Sequence, residues 1–387
     1  MRVLLAFDKF KGSLSAPQAC DLALRALRGR HRDWQLDSCP LTDGGEGFTE
    51  ILTAAAKGRR TRVDATGPRG GLVAASIGLI AQQQIPSPVR QWFDLPGTAS
   101  ESRRPLAVIE MAAASGLNLL PPEQHDPWQA TTYGTGQLIR AAAELSAAGI
   151  LLGVGGSATN DLGLGALAAL GLEFRDADGG KIRPPAPVHW HRIAAIEGEV
   201  FPSIPPICIA SDVTNPLLGP RGAAAIYGPQ KGLRPEDLPR MEAAMERMAR
   251  LLGEHCRKSP ALADTPGVGA AGGLPFGLIA GARARLAPGF ELVSAWFDLR
   301  ARIAAADLVL TGEGCFDVTS LSGKGPGSVA TQARALGKTV HVFAGRLGEG
   351  AACAGCQLHA ITPLGYSFAQ AKGEAPELLA RSIQAAF

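Results

Sequence analysis

Charged side chains recur in this chain where an apolar run breaks into glycine. Val3-Leu4-Leu5-Ala6-Phe7 is followed by Asp8-Lys9-Phe10-Lys11-Gly12-Ser13, and a short run ending at Cys39 by Pro40-Leu41-Thr42-Asp43-Gly44-Gly45-Glu46-Gly47. Ile207-Cys208-Ile209-Ala210 opens into Ser211-Asp212-Val213-Thr214-Asn215-Pro216. A strand-like run over 304–310 opens into Thr311-Gly312-Glu313-Gly314-Cys315-Phe316-Asp317 and then Gly323-Lys324-Gly325-Pro326. Carboxylates at such places can coordinate Mg²⁺ or take a proton from a substrate hydroxyl. In open α/β sheets ligands bind at the carboxyl ends of the strands, so Asp43, Asp212, Glu313 and Asp317 are the candidate acids.

A second pattern suits anions. Gly149-Ile150-Leu151-Leu152-Gly153-Val154 reads as a buried strand and 162–170 as a helix, with Gly155-Gly156-Ser157-Ala158-Thr159-Asn160-Asp161 between them. Glycines let backbone N–H groups approach a ligand, and Ser157 and Asn160 add polar groups beside a helix start. A plain capped turn fits the same residues. Lys11 and Ser13 lie just ahead of another predicted helix, Ala16–Arg28, whose capping box is Ser15 with Gln18. Thr131-Thr132-Tyr133-Gly134-Thr135-Gly136 precedes a predicted helix over 137–147, and Lys231 lies in Gly228-Pro229-Gln230-Lys231-Gly232. The amphipathic pattern over 235–256 predicts a packing helix.

Strands alternating with helices define an α/β chain, and 387 residues are enough for two domains. Hydrophobic residues make up 46%, charged residues 19%, and there are 48 glycines, a globular composition. Thirty-eight basic against 35 acidic residues, with no long basic run, argue against nucleic acid as the main partner. Neither a signal peptide nor a membrane span is expected, which places the chain in the cytoplasm. Seven scattered cysteines suit reduced thiols, and Cys353-Ala354-Gly355-Cys356 stands without a second pair for zinc.

Two motifs test competing chemistries. Gly267-Val268-Gly269-Ala270-Ala271-Gly272-Gly273 matches the dinucleotide pattern by letter, but no strand precedes it. A Walker A loop is excluded because Val318 stands where its first glycine would be and Gly325 follows Lys324. Seven histidines and no Gly-x-Ser-x-Gly leave hydrolases without support. Loops bearing glycine with Asp, Glu, Lys, Ser or Asn fit phosphoryl transfer, where positioning and charge neutralisation carry the rate.

Six of these blocks, 8–16, 43–47, 153–161, 210–216 with 228–232, 267–273 and 311–326, occur in the order of the class I glycerate kinase family, which the chain resembles over essentially its full length. The resemblance implies a Rossmann- or flavodoxin-like domain from both chain ends (1–60 and 290–387), an inserted second α/β domain (61–289), and a cleft site between them. It implies ATP and Mg²⁺, D-glycerate as the small-molecule partner, and 2-phosphoglycerate as the usual product. Within that expectation Asp43 or Asp212 is the base, and Lys11 with Ser13 holds the glycerate carboxylate or the moving phosphoryl group. Gly44, Gly45, Gly155, Gly156, Ser157, Asn160, Asn215 and Lys231 bind substrate or phosphate, Glu313 and Asp317 hold Mg²⁺, and Lys324 neutralises nucleotide charge. Two alternatives stand beside it. One is a nucleotide-cofactor oxidoreductase, resting on 267–273; the other is a non-catalytic ligand binder, suggested by Phe7, Lys9 and Gln137 where the family pattern differs. Oligomeric state is not legible.

Overall fold

A computed structural model of the chain describes residues 1–93, 95, 103–318, 320–321 and 325–387. They form two compact units, Met1–Asp43 with Val293–Phe387, and Gly44–Leu292. Both are α/β, as the alternation of elements predicts. Among the described residues no helix is long and apolar enough to cross a membrane.

The first unit is a five-stranded, wholly parallel sheet. In spatial order its strands are Gln357–Ala360, Thr339–Leu347, Leu308–Phe316, Arg2–Phe7 and Gln35–Ser38. The central strands read as near-continuous apolar runs because helices cover both faces. Val3, Leu5 and Phe7 pack with Leu308, Leu310 and Phe343 against helices Ala16–Arg28 and Ala375–Ala386. The predicted capping box forms: Ser15 Oγ accepts from Gln18 N and Gln18 Oε1 from Ser15 N. From Arg2–Phe7 the chain moves to one side of the sheet, and from Leu308–Phe316 to the other. The crevice between those two strands is the switch point at which α/β sheets place ligands.

One expectation changes here. The strand does not stop at residue 310 but runs Leu308–Phe316, in parallel register with Thr339–Leu347. Gly312 permits it, since a Cβ there would lie 1.8 Å from the Phe343 carbonyl oxygen. Glu313 therefore sits on a rigid strand and not in a loop.

The second unit has a six-stranded sheet in the order Arg285–Ala287, Ile207–Ala210, Gly149–Gly153, Leu106–Glu110, Leu72–Ile80, Arg59–Thr66. The first four strands are parallel and the last two antiparallel. Its core gathers Ile139, Leu152, Leu164, Leu167 and Trp190 with Met241, Met245 and Met248 of helix Leu238–His255. Residues 235–237 form a separate short turn of helix ahead of it. The 267–273 segment is an irregular turn with left-handed backbone at Ala271 and Gly272, and the short helix Pro260–Asp264 precedes it. The strand a dinucleotide motif needs is absent there, which leaves the oxidoreductase reading without its one support.

The cysteine expectation is corrected at one place. Cys353 and Cys356 are joined in a disulfide, their Cα atoms 5.3 Å apart across a turn closed by Cys356 N on Cys353 O. Cys20, Cys39, Cys208, Cys256 and Cys315 are free.

Candidate active site

At the carboxyl edge of the first unit's sheet lies a depression of about 890 Å³. Asp8, Lys9, Lys11, Ser13, Asp43 and Glu313 line it from one side. Asp8 is fixed at the end of its strand by its own N–H on the Gly312 carbonyl, 2.9 Å away. Its Oδ1 accepts from Lys9 N at 2.7 Å. Asp43 arrives because the pairing beyond Gln35–Ser38 continues through Cys39 N on Leu5 O and Leu41 N on Phe7 O. Lys9 then bridges the two acids, with Nζ 2.8 Å from Asp43 Oδ1 and 3.8 Å from Asp8 Oδ1.

The electrostatics of this edge are uneven. Burial pushes Asp8 up to about 6, with Lys9 opposing and Asp43 adding to the rise. Glu313 is pushed up to about 7, first by burial; Ser320 opposes, and Asp8, Asp317 and Asp43 raise it further. Its Oε1 is buried without a hydrogen-bond partner. Four carboxylates thus share one edge, and Glu313 keeps one buried oxygen without a partner. A cation is the group that relieves such an arrangement. Among the described residues no three acidic, His or Cys side chains could hold a metal by themselves. Mg²⁺ is commonly held by one or two carboxylates, waters and substrate phosphates, and Glu313 with Asp317 fits that mode. Lys11 is exposed on the rim, whereas Ser13 Oγ donates to the Phe10 carbonyl at 2.9 Å and secures the turn. Lys324 lies outside the described residues.

The glycine-rich stretch of the second unit turns out closed. Gly155 N donates to Gly44 O at 3.1 Å, and a Cβ on Gly155 would lie 2.8 Å from Gly45 Cα. These glycines allow two backbones to touch, which is a different use from cradling a phosphate. Ser157 is buried and bridges to Gly116, and Gly156, at φ +75°, takes the left-handed turn between. Asn160 and Lys231 are wholly buried. Lys231 Nζ donates to Thr159 O at 2.7 Å and to Asn160 Oδ1 at 3.2 Å. Burial lowers Lys231 to about 7, with nearby Asp161 opposing. Asp161 accepts from Thr132 N, Thr132 Oγ1, Gly163 N and Gly165 N at 2.7 to 3.3 Å. Burial still raises its pKa against those bonds. Lys231 and Asn160, expected at a phosphate, are joined to each other inside the loop, with Asn160 Nδ2 unpartnered.

Asp212 and Asn215 are likewise engaged. The Asp212 carboxylate accepts from Phe290 N at 2.9 and 3.0 Å, capping helix Gly289–Trp296. Asn215 donates to Arg221 O and accepts from Tyr227 Oη, at 2.8 and 2.7 Å. Of the two candidate bases, Asp43 is the one on the open depression, its side chain 46% exposed. Sequence reasoning passed over Asp8 and Lys9 as site groups. Asp8 carries the same signal that marked Asp43, an acid where an apolar strand ends. Gln137 serves the fold, its Oε1 accepting from Thr66 N at 2.7 Å.

A switch-point crevice lined by paired acids and lysines, on a parallel sheet, defines an α/β enzyme of the kinase class. The glycerate kinase family model matches residues 3–387, and the chain belongs to that family. Glycerate 2-kinase of Escherichia coli K12 is 36% identical over 351 residues, 90% of this chain and 86% of that one. A glycerate kinase of Halalkalibacterium halodurans is 36% identical over 355 residues, covering 90% and 86%. The crystal structure of a candidate glycerate kinase 2 from Salmonella typhimurium LT2 is similar at a TM-score of 0.72 and 36% identity, covering 100% of this chain and 98% of that one.

Proposed function

We propose that the protein phosphorylates D-glycerate with ATP and Mg²⁺ to give 2-phosphoglycerate, with the chemistry at the carboxyl edge of the first unit's sheet. The observation that carries this reading is Glu313: a half-buried carboxyl raised to about 7, with one buried oxygen unpartnered, beside Asp8, Asp43 and Asp317. The regiochemistry follows the E. coli relative, named a glycerate 2-kinase.

Mg²⁺, when bound, neutralises phosphate charge that develops during transfer. Glu313 and Asp317 would hold it, and its arrival favours the ionised Glu313 that burial opposes. Asp43 accepts the proton of the acceptor hydroxyl, oriented by its 2.8 Å contact with Lys9. Lys11, exposed on the rim, attracts the glycerate carboxylate or the transferred phosphoryl group. Lys324 would add charge near the nucleotide. The 155–161 loop acts by its shape, held through Lys231 and Asp161.

A coupled assay with purified protein, MgATP and D-glycerate tests the reading, with product identity read by NMR. ADP release dependent on glycerate and a phosphate on C2 are expected. Binding of either compound without turnover would instead favour the non-catalytic alternative.

A further inference from the structure

The second unit contains a basic cavity that the chemistry above does not use. It measures about 730 Å³, within the roughly 300 to 1,000 Å³ of small-molecule sites. Leu172, Ile204 and Ala282 form an apolar floor, and Arg257, Lys258 and Arg283 stand at its walls with His255. Glu199 is the one carboxylate among its lining residues. The three cations are exposed and enter no ion pair among the described residues.

The backbone that presents them takes one form twice, which also follows the helices Phe48–Ala55 and Tyr133–Glu144 at Lys57 and Ser146. Helix Leu238–His255 closes at Cys256 and continues into Arg257 at φ +53°; helix Leu274–Gly281 closes at Ala282 and continues into Arg283 at φ +54°. The residue one past a helix cap often takes this left-handed form, and glycine is favoured there because Cβ is unfavourable. A cation near a helix carboxyl end interacts well with the dipole, but any position of the last turn would supply that without left-handed backbone. Here arginine occupies the glycine position at both helix ends, and both face one cavity. Phe201, 44% exposed, adds an apolar wall anchored by its N–H on Leu170 O. His255 Nε2 lies 2.9 Å from Gly198 O and ties that wall to the helix end.

We infer that this cavity binds a small phosphorylated metabolite, its phosphate held by Arg257, Lys258 and Arg283 and its carbon skeleton against Phe201 and the apolar floor. Arginine forks suit phosphate oxygens, and the floor gives an organic phosphate contacts that a bare anion lacks. The inference stands independently of the kinase reading.

Calorimetric titration of the full chain at low salt, where the charges are least screened, tests it with phosphoglycolate and glucose 6-phosphate as probes. Glycolate and glucose serve as unphosphorylated controls. At least one phosphorylated probe is expected to bind saturably with Kd below about 1 mM, and neither control to do so. The Arg257→Gly/Arg283→Gly double variant should weaken that binding at least about tenfold, a loss in the range of two charged contacts. Glycine suits both left-handed positions, so the variant should keep or raise its melting temperature, and misfolding does not confound the result. Absence of saturable binding by both phosphorylated probes, or unchanged affinity in the double variant, would overturn the inference.

Discussion

Two polar centres, one in each unit, handle charge in opposite ways. Around Lys231 the second unit encloses an ammonium, a carboxylate and an amide, and the two charged groups are held from several sides: five donors meet Asp161 and two acceptors meet Lys231, while Asn160 Nδ2 and Thr159 Oγ1 are buried without partners. At the edge of the first unit's sheet four carboxylates gather, and Glu313 keeps an unpartnered oxygen. The first arrangement resembles a structural clamp, since interior charge persists where several hydrogen bonds hold it. The second resembles a site awaiting a ligand, because Lys9 meets only Asp8 and Asp43 directly while burial and three neighbouring acids raise Glu313.

The contrast breaks most visibly at Asp161. Asp161→Ala would strand the buried donors of Thr132, Gly163 and Gly165, and is expected to cost about 3 to 5 kcal/mol in denaturant unfolding. A loss below about 1 kcal/mol would show that the clamp is dispensable. Asp43→Ala should do the reverse: turnover falls about 10²-fold or more while stability moves by less than about 1 kcal/mol, because its ion pair with Lys9 is exposed. Lys11→Ala should behave similarly in steady-state kinetics. Near-normal rates in either variant would remove that residue from the chemistry.

Glu313→Gln sharpens the comparison through its sign. With its pKa raised from 4.5 to about 7, Glu313 binds a proton more tightly folded than unfolded. In metal-free buffer its contribution is therefore most favourable below about pH 4.5 and is lost as pH rises through about 7. Glu313→Gln should accordingly stabilise the protein at pH 8 by about 1 to 3 kcal/mol, and much less at pH 5. Activity should fall in the same variant. Thermal melts at the two pH values check the first part, and equal shifts at both would refute it.

What could be read from sequence depended on how far apart the interacting residues lie. The Ser15–Gln18 capping box and the apolar strand that ends at Phe7 are local patterns, and the structure reproduces them. Loop groups were harder, since residue type reveals capacity but not partner. Asp212 meets Phe290 across 78 positions and Lys231 meets Asn160 across 71. Those partners show how each of these residues is held in the fold. Lys9 was read as a departure from a family pattern; its bond to Asp43, 34 positions on, became visible only in three dimensions. The length of Leu308–Phe316 was hidden because Gly312 and Gly314 look like loop residues until a neighbouring backbone is seen to need their missing side chains.

The pairing of Arg2–Phe7 with Leu308–Phe316 also constrains how the molecule is made. Thr311 Oγ1 reaches Ala6 O across 305 positions, so the central seam of the first unit forms only after most of the chain has left the ribosome. The second unit is one continuous stretch and has all its strands earlier. Contacts this distant in sequence are slow to close, and domains tend to fold as they emerge. The apolar strand Arg2–Phe7 must therefore wait, with its Leu308–Phe316 edge unfilled, while the second unit takes shape.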